Sequence, residues 1–311
     1  MTAVRGLSLF FVFLLAACAP QLKPPGSPIT EAKLTDQAIV MRDGAVLPLH
    51  VWWPPGTPKA IILALHGFND YGAFIKKAAS FFSKNGVQVY SYDQRGFGRS
   101  SHFGFWPGHQ VFAQDATVAI DLLRRKHLGL PVYLLGMSMG GAVVITAMTN
   151  ENRPDVDGVV LVAPAVWGRE SMPFYQRWAL WLAVRTVPWM KLSAKGLKIR
   201  ASDNDEMLRE LRRNPLFIKE TRVDTIWGLV NLMDLALKRS AEFRANTLLL
   251  YGDNDEIIPK KPTELMFSRL PQDAASQRRL IRYENGYHML LRDLQAETVW
   301  RDILKWVARP H

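Results

Sequence analysis

One pentapeptide constrains the fold of this chain more than any other stretch: Gly136-Met137-Ser138-Met139-Gly140, which Gly141 follows. A β-rich apolar run, Val132 to Leu135, precedes it, and a run typical of a buried helix, Ala142 to Met148, follows it. In so tight a strand-to-helix turn, only glycines fit beside the serine. This context is typical of a nucleophile elbow, which presents a hydroxyl at the amino end of a helix, where the helix dipole favours negative charge. We therefore predict that Ser138 is a nucleophile.

The predicted nucleophile needs partners, and two later loops offer them. A serine needs a general base, and a histidine base needs a carboxylate that holds its tautomer and stabilises its charged form. His288 follows the last predicted strand, Arg279 to Tyr283. Three acids, Asp253, Asp255 and Glu256, follow the strand predicted over residues 247–251. From the residues alone, the acid partner of His288 is one of these three or an acid elsewhere.

Strands and helices alternate along most of the chain. A continuous apolar run predicts a buried strand at residues 60–65. Further strands are predicted at 87–92 and 158–162, and helices at about 73–83 and 111–126. An antiparallel pair is predicted near the start, around a turn signal, and a helix over about 291–307 closes the chain. This alternation predicts an α/β fold with a mostly parallel, doubly wound sheet.

The alternation stops between about residues 165 and 242. No strand is predicted there, helices are predicted over 174–184 and 205–213, and five of the ten tryptophans fall in this stretch. We interpret it as a helical cap inserted into the sheet domain.

One helical face of this cap carries large apolar side chains. Trp178, Trp181 and Leu182 share it with Phe174 at helical spacing. Two interpretations stay open: the face packs the cap onto the sheet, or it forms an acyl-chain pocket or an interfacial surface. In the second case Trp178, Trp181 and Leu182 are substrate-binding residues.

The first eighteen residues have the pattern of an export signal. Arg5 precedes an apolar run from Leu7 to Ala17, which is too short to span a bilayer, and Cys18 follows it. The sequence Leu-Ala-Ala-Cys resembles a bacterial lipobox, in which the cysteine is acylated; the alternative is an ordinary signal peptide with a cysteine there by chance. Ala19 favours the outer membrane by resemblance to enterobacterial sorting. We expect a lipid-anchored protein of the bacterial cell envelope that faces the periplasm.

These observations predict a division of the chain into consecutive parts. They are a signal peptide at 1–17, a tether at 18–34 whose first residue is lipidated Cys18, a first core part at 35–164, the cap at 165–242 and a second core part at 243–311.

Motifs spread over residues 66 to 288 point to a known family. They are His66-Gly67, Asp93-x-Arg95-Gly96-x-Gly98-x-Ser100, Gly136-x-Ser138-Met139-Gly140-Gly141, Gly252-x-x-Asp255 and Tyr287-His288, with Asn214-Pro215-Leu216 in the cap. In this combination, and with the chain order Ser, acid, His, the sequence resembles the α/β-hydrolase superfamily. Within it, the sequence is similar to the monoacylglycerol lipase and lysophospholipase group of serine hydrolases.

The resemblance implies a role for several residues. It places the acid three residues after Gly252, at Asp255. The oxyanion hole takes the backbone amide of Met139, the residue after the nucleophile, and by family position that of Phe68. His66 orders the loop that carries Phe68.

The resemblance also implies a function. We expect a carboxylester hydrolase that acts through an acyl-enzyme on lipid-like monoesters, either monoacylglycerols or lysophospholipids. The alternatives are an aminopeptidase, an acyltransferase and a non-catalytic envelope lipoprotein. An aminopeptidase would need acids in the cap to bind a free amine, and the candidates are Glu206, Glu210 and Glu220.

Charge and composition limit the partners. The formal net charge is +11, but no nucleic-acid motif accompanies it, so we expect a lipid-like substrate and a membrane, and no nucleic acid. No Cys/His cluster or His-Glu-x-x-His stretch occurs, so no metal and no cofactor is expected.

Overall fold

A central sheet organises the computed structural model, which describes residues 19–193, 195–196, 199–271 and 277–308. The strands in these residues are β1 (Lys33–Leu34), β2 (Ala38–Val40), β3 (Val46–Trp52), β4 (Ala60–Leu65), β5 (Val87–Tyr92), β6 (Val132–Met137), β7 (Gly158–Val162), β8 (Lys191–Ser193), β9 (Glu220–Arg222), β10 (Thr247–Gly252) and β11 (Arg278–Tyr283). Nine of them form one sheet in the order β1-β2-β3-β5-β4-β6-β7-β10-β11. The strands from β5 to β11 in this order are parallel, and β1, β2 and β3 add to the edge in antiparallel fashion.

Helices cover both faces of the sheet. They are α1 (Lys76–Lys84), α2 (His109–Lys126), α3 (Met139–Met148), α4 (Phe174–Thr186), α5 (Asp205–Arg213), α6 (Val223–Arg239), α7 (Lys260–Arg269) and α8 (Ala296–Val307), with short 3-10 turns at Gly72–Ile75 and Ser240–Glu242. Two apolar clusters result, one on each face of the sheet. Every residue of β4, β5, β6, β7 and β10 is buried, as expected for strands of a parallel sheet that is covered on both faces. The predicted doubly wound, mostly parallel sheet is confirmed.

The closing helix begins later than its sequence pattern predicts. It was expected from about residue 291, but α8 begins at Ala296. Residues 284–295, which we call the base loop, fold back toward the sheet edge, where the side chain of Asp293 accepts a hydrogen bond from the amide of Tyr287. This contact within the base loop replaces the first helical turns that the apolar spacing predicts.

The segment between β7 and β10 contains α4, α5 and α6, as the predicted helical cap requires. It also contains β8 and β9, which pair in antiparallel fashion and match Lys191 with Arg222. The expectation that this segment holds no strand is therefore wrong. Each of the two strands has only three residues, which is too short for an alternation pattern.

The segment predicted as a tether lies against the domain. We call residues 20–24 the strap. The amide of Gln21 donates to Asp224 Oδ2 at 3.1 Å, and the amide of Lys23 donates to the carbonyl of Trp106 at 2.9 Å. The predicted signal peptide and Cys18 lie outside the described residues. Of the helices that the structure does describe, none has the length and apolar character needed to cross a bilayer.

Candidate active site

The strand-to-helix turn after β6 holds Ser138 in a strained conformation. Its backbone angles are φ 53° and ψ −117°, a region that favours glycine. The flanking glycines permit this turn, because a Cβ on Gly136 would lie 2.4 Å from the carbonyl oxygen of Gly140, and a Cβ on Gly140 would lie 2.2 Å from that of Leu65. The strand, the turn and the helix α3 therefore have the geometry of a nucleophile elbow.

The acid and the base meet at the same edge of the sheet. Nδ1 of His288 lies 2.8 Å from Oδ2 of Asp255, and both side chains are buried. The other oxygen of Asp255 accepts from the amides of Ile257 at 2.8 Å and Ile258 at 2.9 Å, which fixes the carboxylate. With Nδ1 donating to Asp255, Nε2 of the imidazole is the nitrogen that can accept a proton from a hydroxyl. Among the contacts of the described residues, no hydrogen bond joins this ring to Ser138.

The other two acids after β10 have different partners. Asp253 pairs with Arg282 at 2.5 Å, and Oε2 of Glu256 accepts from the amide of Arg200 at 2.7 Å. Geometry therefore selects Asp255 from the three candidate partners of His288.

The loop after β4, residues 66–71, approaches the nucleophile closely, and we call it the oxyanion loop. A Cβ on Gly67 would lie 3.2 Å from Cβ of Ser138. Phe68 is half-buried, and its amide takes no part in the loop hydrogen bonds of the described residues. Met139 is the first residue of α3, so its amide is one of the free N–H groups at a helix amino end. Met139 directly follows Ser138 in the chain, and Phe68 directly follows Gly67, the residue that approaches Ser138.

His66 holds the oxyanion loop in place. Its Nδ1 donates to the carbonyl of Gly67 at 2.8 Å, and its Nε2 accepts from the amide of Gln94 at 3.0 Å. The ring is fully buried, and this burial lowers the pKa of His66, so the ring is neutral. It orders the loop, as the sequence predicts.

The carboxylate of Asp93, directly after the neighbouring strand β5, also holds loops in place. It accepts from the amides of Gly72 and Arg99, each at 2.8 Å, and from Nε2 of His50 at 2.9 Å. Burial alone would raise the pKa of Asp93, but these hydrogen bonds hold it below its usual value. Asp93 thus joins the 3-10 turn that follows the oxyanion loop to the loop after β5.

An ion pair that the sequence did not reveal connects the base loop with the oxyanion loop. Nη2 of Arg292 donates to Oδ2 of Asp70, and both side chains are nearly buried. Oδ1 of Asp70 accepts from the amide of Tyr71 at 2.9 Å. The partners lie 222 residues apart, so no local pattern could have identified the pair.

The segment before α5 binds the base loop. Oγ of Ser202 donates to Oδ1 of Asp293 at 2.6 Å, and the amide of Met289 donates to the carbonyl of Ala201 at 2.9 Å. Burial raises the pKa of Asp293, while the hydrogen bonds from Ser202 and from the amide of Tyr287 oppose that shift.

The segment after α5 binds the oxyanion loop. Nδ2 of Asn214 donates to the hydroxyl of Tyr71 at 2.8 Å, and Nδ2 of Asn69 donates to Oγ1 of Thr221 at 2.7 Å. The amide of Ile218 donates to the carbonyl of Asn69 at 2.9 Å. The two ends of α5 therefore attach to the two loops on either side of the nucleophile.

The residues predicted to bind substrate lie on the outer side of the cap. Trp178 is 65% exposed, Trp181 40% and Leu182 56%, so the interpretation that they pack the cap onto the sheet is wrong. Trp178 and Trp181 line a cavity of about 500 Å³, together with Phe174, Trp227, Arg169 and Arg177. In α4, Val184 is the buried residue.

Comparison with known proteins finds relatives over most of the chain. Residues 56–295 match the family described as serine aminopeptidase S33. The monoglyceride lipase of Homo sapiens is 27% identical over 279 residues, which cover 87% of this chain and 89% of that protein. The monoacylglycerol lipase of Mycolicibacterium smegmatis is 24% identical over 282 residues, which cover 85% of this chain and 93% of that protein.

A solved structure gives the same result for the fold. The monoacylglycerol lipase of Paleococcus ferrophilus superposes with a TM-score of 0.66 at 24% identity, over 84% of this chain and 98% of that one. The predicted α/β-hydrolase fold is confirmed.

Proposed function

The chain belongs to the serine aminopeptidase S33 family. We propose that this member of the family is a serine hydrolase that cleaves carboxylic esters of lipid-like substrates. The observation that carries the proposal is the buried hydrogen bond between His288 and Asp255, at the sheet edge where Ser138 stands in a left-handed conformation. Such an arrangement activates a hydroxyl for attack on an acyl carbon.

The mechanism follows from the roles of these groups. Oγ of Ser138 attacks the ester carbonyl while Nε2 of His288 takes its proton, and Asp255 stabilises the imidazolium. The amides of Phe68 and Met139 bind the oxyanion, and each such donor contributes roughly 3–4 kcal/mol in related sites. The imidazolium protonates the leaving alcohol. Water then attacks the acyl-enzyme while the same imidazole takes its proton, and the imidazolium returns that proton to Oγ of Ser138 as the fatty acid leaves.

We propose a monoacylglycerol or a lysophospholipid as the substrate. Proteins that share about a quarter of its residues over most of the chain are lipases of monoacylglycerols, which supports this class. The aromatic cavity on the cap, with arginines at its wall, suits an acyl chain that carries a polar head group.

The other activities are less well supported. The cap acids that an aminopeptidase would need, Glu206, Glu210 and Glu220, are all exposed, so they form no buried anionic pocket for an amine. An acyltransferase would use the same acyl-enzyme with an alcohol in place of water, so it is distinguished by its products alone.

We also propose that the protein is anchored in the bacterial cell envelope by acyl chains on Cys18, and that it faces the periplasm. The support is the apolar run that ends at this sole cysteine. Incorporation of labelled palmitate into the protein, and its loss in Cys18→Ser, would establish the anchor; unchanged labelling in the variant would refute it.

One experiment tests the catalytic proposal. The purified protein and its Ser138→Ala variant are incubated with a fluorophosphonate probe, and then with esters of graded chain length, lysolipids and aminoacyl arylamides. We expect labelling and ester turnover in the native protein and neither in the variant. No labelling of the native protein would refute a serine hydrolase, and arylamide turnover without ester turnover would refute the lipase assignment.

A further inference from the structure

A second carboxylate, that of Asp293, lies in the loop that carries the catalytic imidazole. Asp293 is 6% exposed and follows His288 by five residues. Its Oδ2 accepts from the amide of Tyr287 at 2.8 Å, so this hydrogen bond closes a short loop that contains His288. The amide of Asp293 donates to the carbonyl of Met289 at 3.1 Å and tightens the same loop. A change in the Asp293 side chain is therefore transmitted to the backbone beside His288.

The cap holds the other oxygen of this carboxylate. Oγ of Ser202, which is fully buried, donates to Oδ1 of Asp293 at 2.6 Å, the length of a charge-assisted hydrogen bond. The same hydroxyl accepts from the amide of Asn204 at 3.2 Å, and Asn204 directly precedes α5. Nδ2 of Asn204 donates to the carbonyl of Arg292 at 3.0 Å. The Ser202 hydroxyl thus connects the start of α5 to the carboxylate of the base loop.

The Asp293 carboxylate and the His288 imidazole also interact through their charges. Burial has the largest influence on the pKa of Asp293 and raises it, whereas the hydrogen bonds from Ser202 and from the amide of Tyr287 lower it. The nearby Asp203 raises this pKa as well, and a positive charge on His288 lowers it. Such an interaction is mutual, so the carboxylate of Asp293 stabilises the imidazolium that forms during catalysis.

We propose that Asp293 is a positioning residue for the reaction, whose carboxylate, held by Ser202 of the cap, sets the place of the His288 ring and stabilises its charged form. Asp255 acts on the same ring by direct contact at Nδ1, whereas Asp293 acts through the backbone of the base loop and through its charge. The bond from Ser202 makes this arrangement depend on the cap. The inference rests on the proposed serine hydrolase activity.

The effect of the charge is tested by Asp293→Asn, which keeps the size of the side chain and an oxygen that can accept from the amide of Tyr287. The pH dependence of kcat/KM for a water-soluble ester is measured. Protonation of the His288 ring is followed by NMR, and its signal is assigned by its loss in His288→Gln. We expect the acid limb of the kcat/KM profile and the ring titration to move together to lower pH by about half a unit or more, because the imidazolium has lost a neighbouring negative charge. The matched control is Asp302→Asn, which removes the same charge from α8 and should move neither midpoint.

The effect on position is tested by Asp293→Ala and Ser202→Ala. The first variant removes the bond that closes the base loop, and the second removes its attachment to the cap. We expect kcat to fall roughly tenfold or more in Asp293→Ala and about threefold or more in Ser202→Ala, with little change in KM, because the imidazole is misplaced while the rest of the site is intact. Circular dichroism establishes that each variant compared is folded. If Asp293→Ala does not fold, Asp293→Asn and Ser202→Ala still decide the question.

Three results would overturn the proposal. They are a ring titration in Asp293→Asn that matches the parent chain, an equal shift in Asp302→Asn, and an unchanged kcat in Ser202→Ala. A loss of kcat in Asp293→Asn without any shift in the titration would assign Asp293 a structural role alone. The ring titration requires no turnover, so it is independent of the activity. A parent chain that turns over no ester would count against the proposed function, whereas an unmoved titration would count against the role of Asp293.

Discussion

The ion pair between Arg292 and Asp70 offers a quantitative test of how the site is held together. Their side chains are 10% and 4% exposed, and they join the base loop to the oxyanion loop. Arg292→Met leaves the Asp70 carboxylate buried without its counter-charge, which typically costs 3–5 kcal/mol. We expect the lower end, about 3 kcal/mol, because the amide of Tyr71 still donates to Asp70.

The effect on catalysis follows from geometry. Without the pair, the loop that carries His288 and the loop that carries Phe68 can separate, and a misplacement of about 1 Å costs on the order of a hundredfold in rate. We expect kcat/KM for a water-soluble ester to fall by about ten- to a hundredfold. Asp70→Asn together with Arg292→Met removes both charges, so it should recover at least about 2 kcal/mol of the loss in stability.

The measurements are urea unfolding and steady-state kinetics of the single and double variants. The control is Arg282→Met, which breaks the pair with Asp253 on a neighbouring loop. That pair is 41% and 22% exposed, so its loss should cost less than about 1 kcal/mol and leave kcat/KM unchanged. The reasoning is refuted if Arg292→Met behaves like Arg282→Met, or if the double variant is no more stable than Arg292→Met.

Three further perturbations have definite expected outcomes. Asp255→Asn should lower kcat by roughly 10³–10⁴-fold, because an amide cannot hold the catalytic imidazole in the required tautomer, whereas Asp253→Asn should leave kcat almost unchanged in the same steady-state assay. Gly67→Ala places a methyl group 3.2 Å from Cβ and 3.8 Å from Oγ of Ser138, so kcat/KM should fall about tenfold or more while the urea midpoint stays the same; unchanged kinetics would contradict the close approach of the oxyanion loop. Burial raises the pKa of Asp115 to about 6 although an arginine opposes the shift, so the folded state binds this proton more tightly than the unfolded state. The contribution of Asp115 to the free energy of unfolding is therefore fully present below the ordinary pKa of about 3.9, and it is lost as the pH rises through 6, by up to about 2–3 kcal/mol. Urea unfolding measured between these pH values should show this decrease in the native protein and not in Asp115→Asn.

The sequence predicted what depends on short-range patterns. Tight turns need particular residues, so Ser138 and its glycines identified the elbow once the strand predicted before them and the helix predicted after them were considered as well. The apolar run at residues 60–65 located the buried strand β4, because a strand covered on both faces has no polar side. His288 and the acids after β10 followed from the rule that parallel strands deliver their loops to one edge.

What the sequence could not predict depends on long-range contacts. The residues alone left the choice between Asp253, Asp255 and Glu256 open, and only the family resemblance pointed to Asp255. In the structure the three acids differ in their partners, which are Arg282, His288 and the amide of Arg200, and none of these is local to the acids. The predicted start of α8 was too early. Residues 291–295 continue the apolar spacing of the helix, but hydrogen bonds from Ser202 and from the amide of Tyr287 to Asp293 hold them in the base loop.

The cap was the least predictable part. The apolar stripe of α4 has the same spacing whether it faces protein or solvent, and only the structure shows that it is exposed. The pairing of β8 with β9 involves segments 27 or more residues apart with three residues each, so it leaves almost no trace in the pattern of side chains.

The attachment of α5 at both ends has a consequence for recombining this enzyme with its relatives. A chimera that exchanges the whole cap would also replace the partners of Asp293 and Tyr71, namely Ser202 and Asn214, and would disturb loops that belong to the recipient. Crossover points should therefore lie within the outer part of the insertion, around α4. Residues 199–222 then come from the same parent as Ser138, Asp255 and His288. A chimera would thus exchange the exposed cap surface with α4, whereas the geometry of the catalytic loops would depend on residues 199–222 of the same insertion.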